Sequence, residues 1–250
     1  EFLNFDSLLI TPYSDVCMQL TDRQQRIFQL VLEGYISSGQ PIGSAWVVAH
    51  LSGEISSATV RTELVALEQA GLIRAPHTSA GRIPTEEGYR HYIETFMHPA
   101  RVDREMEIVE HELDAADDSP EEKVRHIARE LSQLAGNVVM VGIDPRSLYA
   151  TGMSRMYESP ESADTELMRT VSHALDRADE LMDELFDVAS HTDVKILIGK
   201  ENPIDENLSL MVTTYATSEG ARIMALLGFM RMRYDRNIAL MQAMKRLLEG

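Results

Sequence analysis

Residues 53–90, GEISSATVRTELVALEQAGLIRAPHTSAGRIPTEEGYR, read as a short polar-faced helix followed by a hairpin carrying Arg74, His77 and Arg82. Ser56 or Ser57 is placed to cap the helix, whose spacing runs to about Gln69 with Gly71 closing it. At 100° per residue Val60, Leu64 and Leu67 share one stripe, expected to face a core. Ala58 and Thr62 lie opposite that stripe, with Ser57, Thr59 and Arg61 toward its edges. Small residues let a helix backbone sink into a groove, Arg can engage guanine edges or a phosphate, and Ser or Thr can meet either. The early amides of such a helix are also open to a phosphate. An ordinary amphipathic surface helix shows the same face, so the hairpin after it decides the reading.

Leu72-Ile73-Arg74 and Arg82-Ile83 flank Thr78-Ser79-Ala80-Gly81, whose small residues and glycine suit a tight turn. Pro84 and Thr85 end the second strand and start another helix, with Glu86 and Glu87 at its positive end. A purely structural loop has little use for two arginines and a histidine around a Ser/Thr-rich tip, whereas phosphate contact uses them directly. Upstream, Thr21 and Gln24 form a capping box ahead of Ile27, Leu30, Val31 and Gly34, and that helix ends around Ser37-Ser38-Gly39 before Pro41. Ser44 is expected to cap a second short helix through Leu51, with Trp46 and Val47 turned inward. Three helices and a basic hairpin predict a winged helix-turn-helix, the third helix entering the major groove and the wing running along the backbone.

The run PIGSAWVVAH…SSATVRTELVALEQAGLI…PHTSAGRIPTEEGYRHYI resembles the DNA-binding domain of the HrcA heat-shock repressor family, densely from about Leu20 to Phe96. At the far end IGKEN, LSLMVTTYAT and GFMRMRYDRNIALM are similar to that family's closing segments, and SRMYESPE to the middle of its effector domain. The resemblance implies a dimeric repressor bound to an inverted-repeat operator on double-stranded DNA ahead of chaperone genes, supported by a GroEL-type chaperonin, without catalysis. It implies Ser44, Ser57, Thr59, Arg61, Thr62, His77, Thr78, Ser79 and Arg82 as DNA contacts, to which the hairpin reading adds Arg74. Thr62 stands where the family usually carries Asn, Ala45 where Lys is frequent, Phe229-Met230 where Pro-Thr is usual, and Arg233 where an acid is usual. Between Leu131 and Glu161 the chain skips much of the usual effector domain, including an inserted subdomain.

Charge pulls the other way. The chain of 250 residues has a formal net charge of −17. Residues 20–98 hold six Arg against eight acids, about −2, while 99–250 hold 17 basic against 29 acidic residues, giving −12. A DNA-binding domain is usually basic. Weak non-specific binding and a modest salt dependence are therefore expected, with affinity depending on a dimer's second half-site. The acidic remainder suits an effector domain repelled from DNA.

Beyond the hairpin, residues 99–134 read as a helical linker, broken at Asp117-Asp118-Ser119-Pro120. Residues 135–250 read as an α+β domain, which the family resemblance implies is a reduced GAF-like effector and dimerisation domain. Val138–Ile143 and Leu148–Met156 are expected strands around a turn at Asp144-Pro145. A single helix is expected over 163–188, then strands at 194–199, 208–217 and 221–230, and a final helix over 234–248, the helices packing on one side of the sheet. Met224, Met230, Met232, Met241 and Met244 suit core filling.

No metal site or cofactor is expected. The eight histidines are scattered, and His111-Glu112 lacks a zinc-protease partner and so reads as solvated surface. Cys17 is alone, which fits a reducing cytoplasm. Glu201-Asn202 has no nucleophile or base at a recognisable spacing, and no glycine loop for phosphate appears. Residues 1–19 are expected to be a non-native or disordered leader, with Met18 the native start; they are too polar and short to span a membrane. Two other readings remain: a winged-helix regulator answering a small-molecule ligand in its C-terminal domain, and an enzyme or interaction module that has lost DNA binding, which the acidity favours.

Overall fold

A computed structural model describes residues 20–51, 55–77, 80–115, 119–144, 147–189 and 193–249. The expectations for residues 1–19, for the wing tip at Thr78 and Ser79 and for the turn at Pro145 fall outside those residues. The fold is α+β, in two compact units that divide between Met97 and His98.

In the first unit α1 (Asp22–Ser38) starts at the predicted capping box: the Thr21 side chain accepts from the Gln24 amide and the Gln24 side chain accepts from the Thr21 amide. Its Ile27, Phe28, Val31 and Leu32 are fully buried, each contributing about 1.5–3 kcal/mol in transfer terms. α2 (Ser44–His50) differs from expectation at its start, because Gly43 occupies the cap and Ser44 is the first helical residue. α3 (Ser57–Gln69) is capped by Ser56, whose hydroxyl accepts from the Thr59 amide, and buries Val60, Leu64 and Leu67 as the angular pattern requires. Ala70 and Gly71 end it, and the Leu72 amide returns to the Leu67 carbonyl at 3.1 Å.

The hairpin has a shorter ladder than its sequence suggests. β1 (Ile73–Arg74) and β2 (Ile83–Pro84) pair antiparallel at only two positions, Ile73 with Pro84 and Arg74 with Ile83. Arg82 instead bridges the α1–α2 connection, exchanging backbone hydrogen bonds with Ile42 at 2.9 and 2.8 Å. Gly81 serves this crossing: a Cβ there would lie 2.5 Å from the Ile42 carbonyl carbon. α4 (Glu86–Thr95) comes next, capped by Thr85, whose hydroxyl also donates to the Gly71 carbonyl at 2.5 Å. A Cβ on Gly88 would come within 2.1 Å of the Leu72 carbonyl oxygen, so α4 packs on the hairpin base only through a glycine.

The second unit opens with α5 (Asp103–Ala115) and α6 (Pro120–Ala135). The sheet runs β3 (Val138–Asp144), β4 (Ser147–Thr151), β5 (Lys195–Ile198), β6 (Leu208–Thr217) and β7 (Gly220–Phe229), all antiparallel, in the order β4-β3-β7-β6-β5. α7 (Met153–Met156), α8 (Thr165–Asp176), α9 (Ala178–Ala189) and α10 (Tyr234–Glu249) complete it.

Four expectations change here. Helices cover both faces, not one. Val138, Met140, Leu210, Val212, Ala225 and Leu227 form a core with Leu167, Met168, Val171, Leu185 and Ala189 of α8 and α9. Alternation turns Val139, Val141, Met211, Met224 and Leu226, all fully buried, to the opposite face, where α6 packs on β3 and α10 on β6. The segment expected as a linker is therefore in part structural, since α6 buries Ile127, Ala128 and Leu131 in this unit. The single helix over 163–188 is two, interrupted at Arg177 with φ −119° and ψ 29°. Neither glycine nor proline marks that break, and both halves bury apolar residues in one sheet core, so packing sets it. The second strand, expected to reach Met156, stops at Thr151 because α7 takes up Met153–Met156.

Candidate nucleic-acid interface

The outward face of α3 carries Ala58, Arg61, Thr62, Val65 and Gln69, all exposed. Ser57 and Thr59 are half-buried at its first turn, and the Thr59 hydroxyl lies 3.0 Å from that of Ser56. Thr62 donates to the Ala58 carbonyl at 3.2 Å, which leaves its methyl group and oxygen lone pair for other contacts. Ser44 is joined to this face: its hydroxyl and that of Ser57 are 3.1 Å apart, so the first turns of α2 and α3 meet. Ser44 thus acts through its side chain and not as the expected cap.

Sequence reasoning does not single out Val65 or Gln69. Val65 is 45 % exposed, three residues beyond Thr62 on the same face, and an apolar group there suits a thymine methyl. The spacing 58, 62, 65, 69 is present in the sequence, but a valine in an amphipathic helix is ordinarily assigned to the core.

The cations separate into two kinds. Arg61 and Arg74 are exposed, and no ion pair among the described residues involves either. Arg74 projects outward because its strand neighbour Ile73 is buried. His77 is exposed, and its carbonyl accepts from the Ala80 amide at 3.0 Å. Arg82 is different: its Nη2 lies 2.9 Å from Glu68 Oε2, with its side chain 20 % exposed and Nε enclosed without a partner. Of the three arginines expected as DNA contacts, Arg61 and Arg74 are open and Arg82 is paired with a carboxylate. Glu63 pairs with Arg23 of α1 at 3.4 Å. Thr78 and Ser79 lie outside the described residues.

In the same unit His91 packs between Phe28 and Phe96, ring centroids 5.6 Å from each, and burial lowers its pKa from 6.5. In the second unit Arg231 closes a bidentate pair with Glu161 at 2.6 and 3.1 Å and reaches Ser159 at 3.3 Å. Burial works to raise the Glu161 pKa, but hydrogen bonds from Arg231 and Ser159 outweigh it and hold the group below 4.5. The Tyr215 hydroxyl donates to the Gly142 carbonyl, and burial pushes its pKa up to about 12 against the pull of Arg222. An open cleft of about 300 Å³ at the α8–α9 break is lined by His173, Arg177, Glu180 and Ile204, and the Arg177 and Glu180 charges satisfy each other at 2.8 Å. Glu112, which reads as solvated surface in the sequence, offers a ligand atom within 4.8 Å of His126 and Glu130; two different helices supply the group, which sequence spacing hides. No helix among the described residues is long and apolar enough to cross a membrane.

Residues 83–238 match the family described as the HrcA protein C terminal domain. A heat-inducible transcription repressor HrcA of Erythrobacter litoralis is 40 % identical over 131 residues, 51 % of this chain and 38 % of that protein. One from Novosphingobium aromaticivorans is 52 % identical over 81 residues, covering 32 % of this chain and 23 % of its own. A third, from Moorella thermoacetica, is 41 % identical over 90 residues, 36 % of this chain and 26 % of the relative. The matched stretches thus span about a quarter to two fifths of these relatives' lengths. In fold, a crystal structure of a protein described as hypothetical superposes with a TM-score of 0.72 at 17 % identity, covering 92 % of this chain and 98 % of that one.

Proposed function

The chain belongs to the HrcA family, and from that premise we propose that it is a sequence-specific DNA-binding repressor of heat-shock genes. The observation that carries the reading is the open face of α3, where Arg61, Thr62 and Val65 stand exposed beside a hairpin presenting Arg74 and His77. Such a face offers a guanidinium for a guanine edge or phosphate, a hydroxyl for either, and a methyl surface for thymine. Arg74 and His77 are placed for backbone contacts that fix register without reading sequence. In this reading the first unit is a winged helix-turn-helix, with α3 as recognition helix and the β1–β2 hairpin as wing.

The few free cations carry a consequence. Two open arginines on this face neutralise few phosphates, so a single unit binds weakly, and a homodimer on an inverted repeat supplies the second half-site. The second unit, with its GAF-like sheet and a net charge of −12 across residues 99–250, serves dimerisation and control, including support by a GroEL-type chaperonin. A repressor acting on chromosomal operators works in the cytoplasm.

The test is selection of duplexes by the full chain from a random-sequence library at low salt, and then gel shift with the enriched sequence. An enriched inverted repeat, bound less well by Arg61→Ala, supports the reading. Failure to enrich any sequence, or unchanged binding by both Arg61→Ala and Arg74→Ala, rejects it.

A further inference from the structure

We propose that Glu68 is the positioning residue of the wing, and that the arginine it holds, Arg82, is a strut rather than a phosphate contact. This rests on the DNA-binding reading above. Glu68 lies in the last turn of α3, and its carboxylate spans both ends of the hairpin loop. Oε1 accepts from the Ala75 amide at 3.0 Å, just after β1, and Oε2 meets Arg82 Nη2 at 2.9 Å, just before β2. One side chain of the recognition helix thereby pins the loop that carries His77 at its two feet.

The hairpin needs such a pin. Its ladder has two residue pairs, and one of the four positions is Pro84, which has no amide proton to donate. A two-stranded ribbon of that length does not hold its own geometry. Residues 75–77 and 80–82 and strand β1 therefore take their placement from what they are tied to, and α3 is the element that enters the groove. Coupling the wing to α3 through Glu68 keeps Arg74 and His77 in fixed register with Arg61.

Arg82 is poorly disposed for DNA. Its side chain is 20 % exposed, its Nε is enclosed without a partner, Nη1 approaches the Ala80 carbonyl at 3.5 Å, and Nη2 is taken by Glu68. A guanidinium already neutralised by a carboxylate adds little to counterion release when DNA binds. Its backbone is held separately by the exchange with Ile42 at 2.9 and 2.8 Å, so removing the charge pair leaves the crossing in place.

Glu68→Gln is the informative variant, because it keeps an acceptor for Ala75 and releases Arg82. With the full chain and the duplex enriched from the random library, affinity falls about tenfold. Affinity for a duplex of unrelated sequence rises, and the slope of log affinity against log salt steepens by about one as Arg82 finds a phosphate. Adding Arg82→Ala to Glu68→Gln returns the slope to the wild-type value, a change that a purely structural defect does not produce. Arg82→Ala alone leaves the salt slope as it is. A slope flattened by about one in Arg82→Ala makes Arg82 a phosphate contact and overturns the inference, as does a Glu68→Gln chain with unchanged specificity ratio and slope. A wild-type chain that enriches no duplex overturns the DNA-binding reading itself, and this inference with it.

Discussion

The two units place their arginines differently. In the sheet unit Arg231 is locked to Glu161 and Arg222, 8 % exposed, to Glu219 at 3.2 Å, so the acidic excess of that unit consumes its own buried cations. In the helical unit only part of the positive charge is consumed: Arg23, Arg82 and Arg90 pair with Glu63, Glu68 and Glu86, while Arg26, Arg61 and Arg74 are exposed, the last two on the helix and the hairpin. Net charge is therefore a poor guide to this molecule's chemistry. A unit near −2 can present a positive contact surface when its carboxylates are tied down on other faces.

The contrast can be broken most forcefully at a backbone. Gly88→Ala drives a Cβ into the Leu72 carbonyl, and about 3 kcal/mol of stability should be lost from the helical unit, at the upper end for overpacking. Denaturant unfolding monitored at Trp46 reports it; a transition unmoved by the substitution shows that α4 and the hairpin base are not coupled as described. Next in size, Arg231→Ala strands a half-buried Glu161 and should cost the sheet unit about 2 kcal/mol, below the range for a fully buried pair. Here the readout is calorimetric, and an equal loss from Arg61→Ala erases the distinction between committed and open arginines.

Arg61→Ala should instead leave stability within about 0.5 kcal/mol while weakening the enriched duplex by about 1–3 kcal/mol. Paired melting and gel-shift measurements separate the two effects. The smallest expected difference lies in pH. The His91 pKa is lowered by burial, so below 6.5 the unfolded chain takes up a proton that the folded unit refuses, and stability drains as pH falls. Glu161, held below 4.5, retains its contribution until the pH drops under that value. The helical unit should thus weaken from about pH 6.5 downward and the sheet unit only in stronger acid. His91→Phe should remove the first effect, and a helical unit equally stable on both sides of that pH contradicts the assignment.

The helical unit is legible in the sequence because its signals are local. Thr21 and Gln24, Ser56 with its α3 stripe, and Thr85 ahead of Glu86 each act within a turn of chain, and the structure carries them out. Local pattern fails where a distant partner decides. Ser44 reads as a cap until Ser57 is seen 3.1 Å from its hydroxyl, and the close approach that requires glycine at Gly81 shows only once the Ile42 backbone is found against it. Arg82 reads as a phosphate ligand until Glu68, an earlier residue on α3, is found holding it. In the sheet unit mixed periodicity marks the strands, while the break at Arg177 and the helices on both faces come from long-range packing.

Family membership, the caps at Thr21, Ser56 and Thr85 and the buried stripes are dictated by the order of residues alone, because capping hydrogen bonds and helical periodicity act over one or two turns of chain. Which arginines stay open to a ligand, and how the hairpin is anchored to α3, depend on the folded arrangement. Charge pairing is settled by which side chains end up within a few ångströms of each other, and that proximity joins residues far apart in the chain.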